Sequence, residues 1–254
     1  MFKVSVFQLL YYRTLAELKI EASKAKLGVL WWFLDPAMYL LLFYVIFGIV
    51  FKRGEEGFVT FLLCGLVFWR WFDTSVRMCA NCILKERLLL EQVYLPKTVL
   101  PGTVLSVNAI KFLLVLLLFL FYLVLAGDTV TVFWLYLPIL LVLQLFLSVG
   151  AGLLVAAVIP FAPDLLILIN YGMTFLFFLA GIFFRISEVE PFLQKILYLN
   201  PMASIIESYR LILLEQSHPL WGQLAYVLCI SVVMVSYGLF LLRKYDRLYP
   251  RLVE

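Results

Sequence analysis

The sequence predicts an all-α integral membrane protein: six transmembrane helices, an N-terminal amphipathic helix at the interface, and re-entrant extracytoplasmic helices between spans five and six. Three observations carry this. The 254 residues are 65% hydrophobic and 14% charged, whereas soluble domains hold about 45–50% apolar and about 25% charged residues. Mean hydropathy is +1.05. Apolar runs near the roughly 20 residues that cross a bilayer recur along the chain. No soluble core buries that much apolar surface, which excludes a soluble enzyme, a nucleic-acid binder and a disordered chain.

Residues 1–33 form the interfacial helix. Arg13, Glu17, Glu21 and Lys24 recur at helical spacing on one face, and Phe7, Tyr11, Leu15, Leu18, Ala22 and Ala25 on another. That much charge cannot cross lipid, so the helix lies flat at the membrane surface. The opening MFKVSVFQLLYYR lacks a long apolar core and a small-residue cleavage site, which predicts mature sequence rather than a signal peptide. Trp31 and Trp32 stand where an aromatic belt precedes the first span.

Residues 34–254 form the membrane domain, with spans predicted at 34–51, 58–78, 104–126, 133–159, 165–184 and 223–242. Asp35-Pro36 reads as the cap of the first. KRGEEG ends that span, Gly127-Asp128 ends the third, and Pro160 and Pro163 mark the turn after the fourth. Topology follows from the basic residues. Lys3, Arg13, Lys19, Lys24 and Lys26, then Lys85, Arg87 and Lys97, then Arg243, Lys244, Arg247 and Arg251 fall on one side. Lys52, Arg53, Arg185, Lys195 and Arg210 fall on the other. Both termini are therefore expected in the cytoplasm.

Residues 185–222 depart from the pattern. Two apolar pieces, 192–199 and 202–214, are each too short to span and are separated by Asn200-Pro201. Crossing as one broken helix would put the Arg-rich tail outside. The pair is expected to dip in from the outer face and return, which backbone tolerates only when buried in protein or facing water. Two helices lying flat on the outer surface are the alternative.

Ionisable residues inside spans each cost about 2.5–3.5 kcal/mol at mid-bilayer, so they are the first candidates for function. Arg70, Asp73 and Arg77 share one face of the second span at i, i+3, i+7. They read either as a polar stripe facing a pore or subunit seam, or as a self-neutralised cluster with Arg77 reaching the interface. Lys111 is expected to reach the interface along its aliphatic stem. Tyr39, Phe43 and Phe47 recur at helical spacing in the first span, and Tyr171, Phe175 and Phe178 in the fifth. Such stripes serve packing or lipid contact. They also suit a sliding track for sugars, whose C–H faces stack weakly on aromatic rings. Arg70 beside such a track suits the phosphate of a lipid pyrophosphate carrier.

Cys79 and Cys82 form a lone C-x-x-C, and the only histidine, His218, is far off in sequence, so small apolar side chains explain them better than a metal. The sequence contains no G-x-x-x-x-G-K-[ST], H-E-x-x-H or G-x-S-x-G. Only Asp73 is an acid deep in a span, which disfavours a proton relay. No cofactor and no enzymatic activity are expected. A channel, a scaffold, or a permease driven by a separate motor remains.

Three stretches then resemble a known family. KAKLGVLWWFLDPAMYLLLFYVIFGIVF, FLLCGLVFWRWF with LLLEQVYLPKTVLPGTVLSV and its prolines Pro96 and Pro101, and LQKILYLNPMASIIESYRLILL are similar to type-two ABC transporter permeases of the polysaccharide-export class. The last stretch is the most specific, with its Asn-Pro step and the Tyr209-Arg210 pair. Lys24 and Lys26 depart slightly from the arginine and tyrosine common in relatives. The resemblance implies a homodimer in the bacterial inner membrane, a channel between two six-span subunits, and a separate nucleotide-binding ATPase. It implies a coupling helix at about 83–95, with Lys85, Arg87 and Glu91 contacting the ATPase. It also implies a gate at about 185–222, with Asn200, Pro201, Tyr209 and Arg210 at the extracytoplasmic mouth. The cargo it implies is lipid-linked polysaccharide, O-antigen first, then capsule or teichoic acid. A drug or small-lipid exporter of the same superfamily is the nearer alternative, and a motor-free channel or scaffold the more distant one.

Overall fold

The computed structural model describes residues 5–24, 28–43, 45–46, 49, 57–127 and 129–252. The described residues form α1 (Val6–Lys24), α2 (Trp31–Phe43), α3 (Phe58–Lys85), α4 (Arg87–Gln92), α5 (Val99–Leu125), α6 (Leu137–Val158), α7 (Leu165–Phe178), α8 (Pro191–Leu197), α9 (Pro201–Leu213), α10 (Trp221–Lys244) and α11 (Tyr249–Leu252). Among them, four helical stretches are long and apolar enough to cross a membrane: Phe58–Lys85, Val99–Leu125, Val132–Phe161 and Trp221–Lys244.

α3 is the central helix, packed between α5 and α6 and touched by α7 and α9, and it is buried along most of its length. The main core joins α3, α5, α6, α9 and α10 around Phe68, Leu140, Ile206 and Tyr209. A second core closes the α4 end of the bundle, where Ile83, Leu90, Val99, Ala157, Leu242 and Tyr249 meet. The outer faces of α5, α6 and α10 remain apolar and exposed, at Leu117, Phe121, Val142, Val233 and Phe240 among others. Exposed surface of this kind is what lipid covers.

α6 and α10 pack against each other along most of their length because small residues let their backbones approach. A Cβ on Gly238 would lie 2.8 Å from the Leu153 Cβ and 3.1 Å from the Leu154 nitrogen. Backbone cannot move aside as a side-chain tip can. Gly238→Val is therefore expected to destabilise the subunit by about 1–3 kcal/mol, the cost of overpacking, towards the upper end. Gly222→Ala on the same helix meets nothing within 4 Å and should melt at or above the wild-type temperature in detergent. Equal melting of the two variants would refute the seam.

α1 lies across α5, with Leu10 against Gly102. It turns Arg13 to Glu86 at 2.6 Å and pairs Glu21 with Lys111. Phe7, Tyr11, Tyr12 and Leu15 face outward. Lys111 thus extends toward α1, the helix expected at the interface. It is held by Glu21 and lies 5.9 Å from the Trp32 ring.

Several boundaries differ from expectation. The second span continues to Lys85 and the third begins at Val99, with Pro101 in a first turn that asks for no N–H from it. Helix α2 begins at Trp31, so Asp35-Pro36 lies a turn inside it rather than capping it. Most of the predicted first span beyond Phe43 lies outside the described residues. The predicted fifth span, 165–184, is shorter. α7 stops at Phe178, about 21 Å of helix against a hydrocarbon core of about 30 Å. The chain then turns through Gly181, whose φ of +69° is open to glycine and strained for other residues.

Candidate functional site

Three regions hold the chemistry. The first is a polar groove between α3 and α7. Arg70, Asp73 and Arg77 face Thr174, Phe177 and Phe178 across a cavity of about 270 Å³. Asp73 pairs with Arg77, whose Nε donates to Asp73 Oδ1 at 2.7 Å. Arg77 also donates from Nη1 to the Asn170 carbonyl and side-chain oxygen at 3.1 and 2.9 Å, and from Nη2 to Thr174 Oγ1 at 3.2 Å. It fastens α7 to α3. Arg70 lines the cavity one turn away, next to Asp73. Trp69 closes the inner wall, with its ring 5.7 Å from that of Phe177.

Beside this groove runs the aromatic stripe of α7. Tyr171 is 73% exposed, Phe175 65% and Phe178 57%. These rings are therefore not core; they face whatever lies against α7. The companion stripe cannot be placed beside them, because the side chains of Tyr39 and Phe43 and all of Phe47 lie outside the described residues.

The second region is the α4 end. Lys85, Arg87 and Glu91 are all exposed, as a contact surface requires. Arg87 and Glu91 pair with each other at 2.9 Å across one helical turn. The largest exposed apolar groups there are Leu88, at 72%, and Tyr94, at 73%. Neither was singled out in sequence, because three leucines separate Arg87 from Glu91 and only the fold shows that Leu88 is outward and Leu90 inward. Leu90 is the one buried residue of α4 and anchors it. The following loop is fixed to the C-terminal segment. Tyr94 Oη donates to Asp246 Oδ2 at 2.8 Å, and the Lys97 backbone N–H donates to Asp246 Oδ1 at 3.1 Å. The hydrogen bond to Asp246, and its charge, push the Tyr94 phenol above its ordinary pKa. Burial lowers that of Lys97, partly opposed by Asp246.

The third region is around Asn200-Pro201. Asn200 caps α9, its side chain accepting from the Met202 N–H at 3.1 Å, and Pro201 occupies the first helical position, where no N–H is needed. Asn200 Nδ2 also donates to the Leu176 carbonyl of α7 at 3.3 Å. α8 lies exposed, with Phe192 and Ile196 outward, whereas α9 is buried between α3, α6 and α10. Tyr209 is fully buried, its ring stacked 3.4 Å from that of Phe68.

Arg210 is also buried, which demands partners for its charge and donors. Nη1 donates to the Gly181 carbonyl at 2.6 Å, and Nη2 to that of Ile182 at 2.9 Å. Nε and Nη2 reach the Phe61 carbonyl at 3.4 and 3.3 Å. Glu207 lies 3.5 Å away, and the Phe61 ring stands 3.4 Å from the guanidinium. Arg210 thereby satisfies the irregular backbone that follows α7 and joins it to α3 and α9. Sequence reasoning did not find Asn170, Thr174 or Glu207. The first two stand four residues apart in an apolar run and were legible as a polar stripe.

The comparisons agree with this membrane architecture. The ABC-2 type transporter family model matches residues 7–214. An O-antigen export system permease protein RfbA of Myxococcus xanthus is 31% identical over 221 residues, 86% of this chain and 85% of the relative. A protein of the same name from Klebsiella pneumoniae is 23% identical over 206 residues, 81% of this chain and 80% of the relative. The chain is therefore a membrane protein of the ABC-2 type transporter family, a permease whose kind normally pairs with an ABC ATPase.

Proposed function

We propose that this chain is the membrane subunit of an ATP-driven exporter that carries lipid-linked polysaccharide, O-antigen foremost, across the bacterial inner membrane. The observation that carries this reading is the similarity to O-antigen export permeases over most of both chains. The pattern of basic residues supports cytoplasmic termini and a cytoplasmic α4 end. The six-span plan follows if α2 continues through the first predicted span and α7 completes the fifth with the turn around Gly181. In that plan α8 and α9, within residues 185–222, dip in from the opposite face as a gate. α9 then lies at depth, where only protein-buried irregular backbone is tolerated, and the Arg210 contacts supply that burial. Two copies would pair to enclose the channel.

Residues 83–95 are the proposed coupling element, with Lys85, Arg87 and Glu91 as its charges and Leu88 as its apolar tip. The test is recovery of an ABC ATPase with the tagged chain, followed by Arg87→Glu and Leu88→Asp. The exposed Arg87–Glu91 pair is worth about 0.3–0.5 kcal/mol, too little for its loss to unfold the subunit. Both variants should insert normally yet export less than about a tenth of the wild-type polysaccharide, the scale of a lost interface anchor. Full export by both, or recovery of no ATPase with the wild-type chain, would overturn the reading.

A further inference from the structure

The α4–α5 loop is short and has few holds on the bundle. Leu90 and Leu95 sit in the second core. Lys97 is buried, with Nζ donating to the Leu95 carbonyl at 3.0 Å. A further hold comes from a distant part of the chain. Asp246 lies two residues beyond the end of α10, and each of its carboxylate oxygens takes one donor from the loop, the Tyr94 hydroxyl and the Lys97 N–H. Arg243, Lys244 and Arg247 line the same cleft, of about 480 Å³, and keep that carboxylate in a positive surround.

Behind Asp246 the chain is held firmly. Tyr249 is buried and its hydroxyl donates to the Ala157 carbonyl of α6 at 3.1 Å. The rings of Tyr245 and Tyr249 both pack on Phe161, at 5.2 and 5.6 Å. α10 is locked along α6 at Gly150 and Gly238, where an added Cβ would meet its neighbours at 2.8 Å. The loop is therefore joined to the α6–α10 pair through Asp246, independently of its covalent ends in α4 and α5.

We propose that Asp246 is a positioning residue for coupling: it ties the ATPase-facing loop to α10, so that a push on the loop moves the α6–α10 pair instead of bending the loop alone. This rests on reading the α4 end as the ATPase-facing end. The two bonds are oriented across the gap between loop and helix end, and both go to a charged acceptor, which makes them the strong kind. Of the two, the one from the Lys97 N–H is the more shielded from water, so removing the Tyr94 hydroxyl alone breaks the weaker half.

The test uses the complete transporter, the chain together with its ATPase, and reads polysaccharide exported per ATP hydrolysed. Asp246→Ala should keep the complex assembled and hydrolysing ATP, while export per ATP falls about fivefold, the scale of a charge-assisted hydrogen bond partly screened by water. Asp246→Glu should restore part of the ratio, and Tyr94→Phe should lower it by about twofold, since the second donor remains. The double variant Tyr94→Phe with Asp246→Ala should be no worse than Asp246→Ala, as for partners in one interaction. An unchanged ratio in Asp246→Ala would overturn the proposal. So would a fall in assembly and hydrolysis together, which marks a scaffold residue. A wild-type chain that neither binds nor stimulates an ATPase overturns the export reading itself. A wild-type complex that works, alongside an equally coupled Asp246→Ala, removes this inference alone.

Discussion

Arg210→Met should all but abolish the folded subunit. The substitution keeps much of the volume of the side chain and removes its charge and donors. It leaves the carbonyls of Phe61, Gly181 and Ile182 without the partner that now satisfies them, and Glu207 without its cation. Breaking a buried pair from one side costs about 3–5 kcal/mol, a large share of the about 5–15 kcal/mol that holds a domain together. Arg210→Lys should fail nearly as badly. A single ammonium cannot reach α3 at Phe61 and the Gly181–Ile182 turn together, whereas the planar fork of arginine does. Glu207→Gln should be milder, because it removes only a carboxylate charge 3.5 Å from the guanidinium and leaves the carbonyl partners of Arg210 in place. The measurement is the yield and melting temperature of monodisperse protein in detergent. A normal yield of Arg210→Met would show that the turn after α7 holds without its arginine.

This expectation gives Arg210 a structural task, tying α9 to α3 and to the turn after α7, which differs in kind from anything its sequence neighbours indicate. The difference shows which features are legible in a single sequence. Long spans are, because lipid imposes a composition: α3, α5, α6 with its flanking turns, and α10 begin and end within several residues of their expected limits. Helix starts set by local chemistry are legible too, as Asn200-Pro201 at the head of α9 demonstrates. What hydropathy does not register is a single glycine. The chain turns at Gly181, three residues beyond the end of α7, inside a run without a charged residue. Partners brought together by the fold are equally hidden. The spacing of Arg70, Asp73 and Arg77 identifies a shared face. It does not indicate that Asn170 and Thr174 stand across from Arg77, some ninety residues on. The spacing around Lys111 likewise does not indicate that its partner is Glu21 of α1. Leu88 and Asp246 escaped notice for the same reason, since each matters through what lies beside it in space.

Tyr171→Ala and Phe175→Ala should stop export of long polysaccharide while leaving the subunit folded. The rings are 73% and 65% exposed and lie on the α7 face next to the cavity that Arg70, Asp73 and Arg77 line. Exposure makes the two readings of the stripe separable. A core aromatic cut to alanine costs about 3–5 kcal/mol, whereas a residue with little packing to lose shifts stability by about 0.5 kcal/mol or less. A large loss of transport at unchanged protein yield is then a loss of function and not of folding. A sugar polymer moving through a pore needs many weak stacking contacts, each about 0.5–1.5 kcal/mol, so that no single site retains it. Loss of one ring should then shorten or thin the exported chains, and loss of both should reduce export by more than about tenfold, since contacts along one path act together. Arg70→Ala belongs in the same series. If Arg70 meets the phosphate of the lipid carrier, its loss should lower export of chains of every length, unlike the length-dependent loss from the rings. Phe119→Leu is the packing control, because Phe119 is buried against Phe68 and lines no part of that cavity, and its effect should follow protein yield. The readouts are the length distribution and amount of surface polysaccharide, set against the yield of the detergent-stable complex. If export in Tyr171→Ala and Phe175→Ala falls only in step with that yield, the stripe is packing or lipid contact and no track exists.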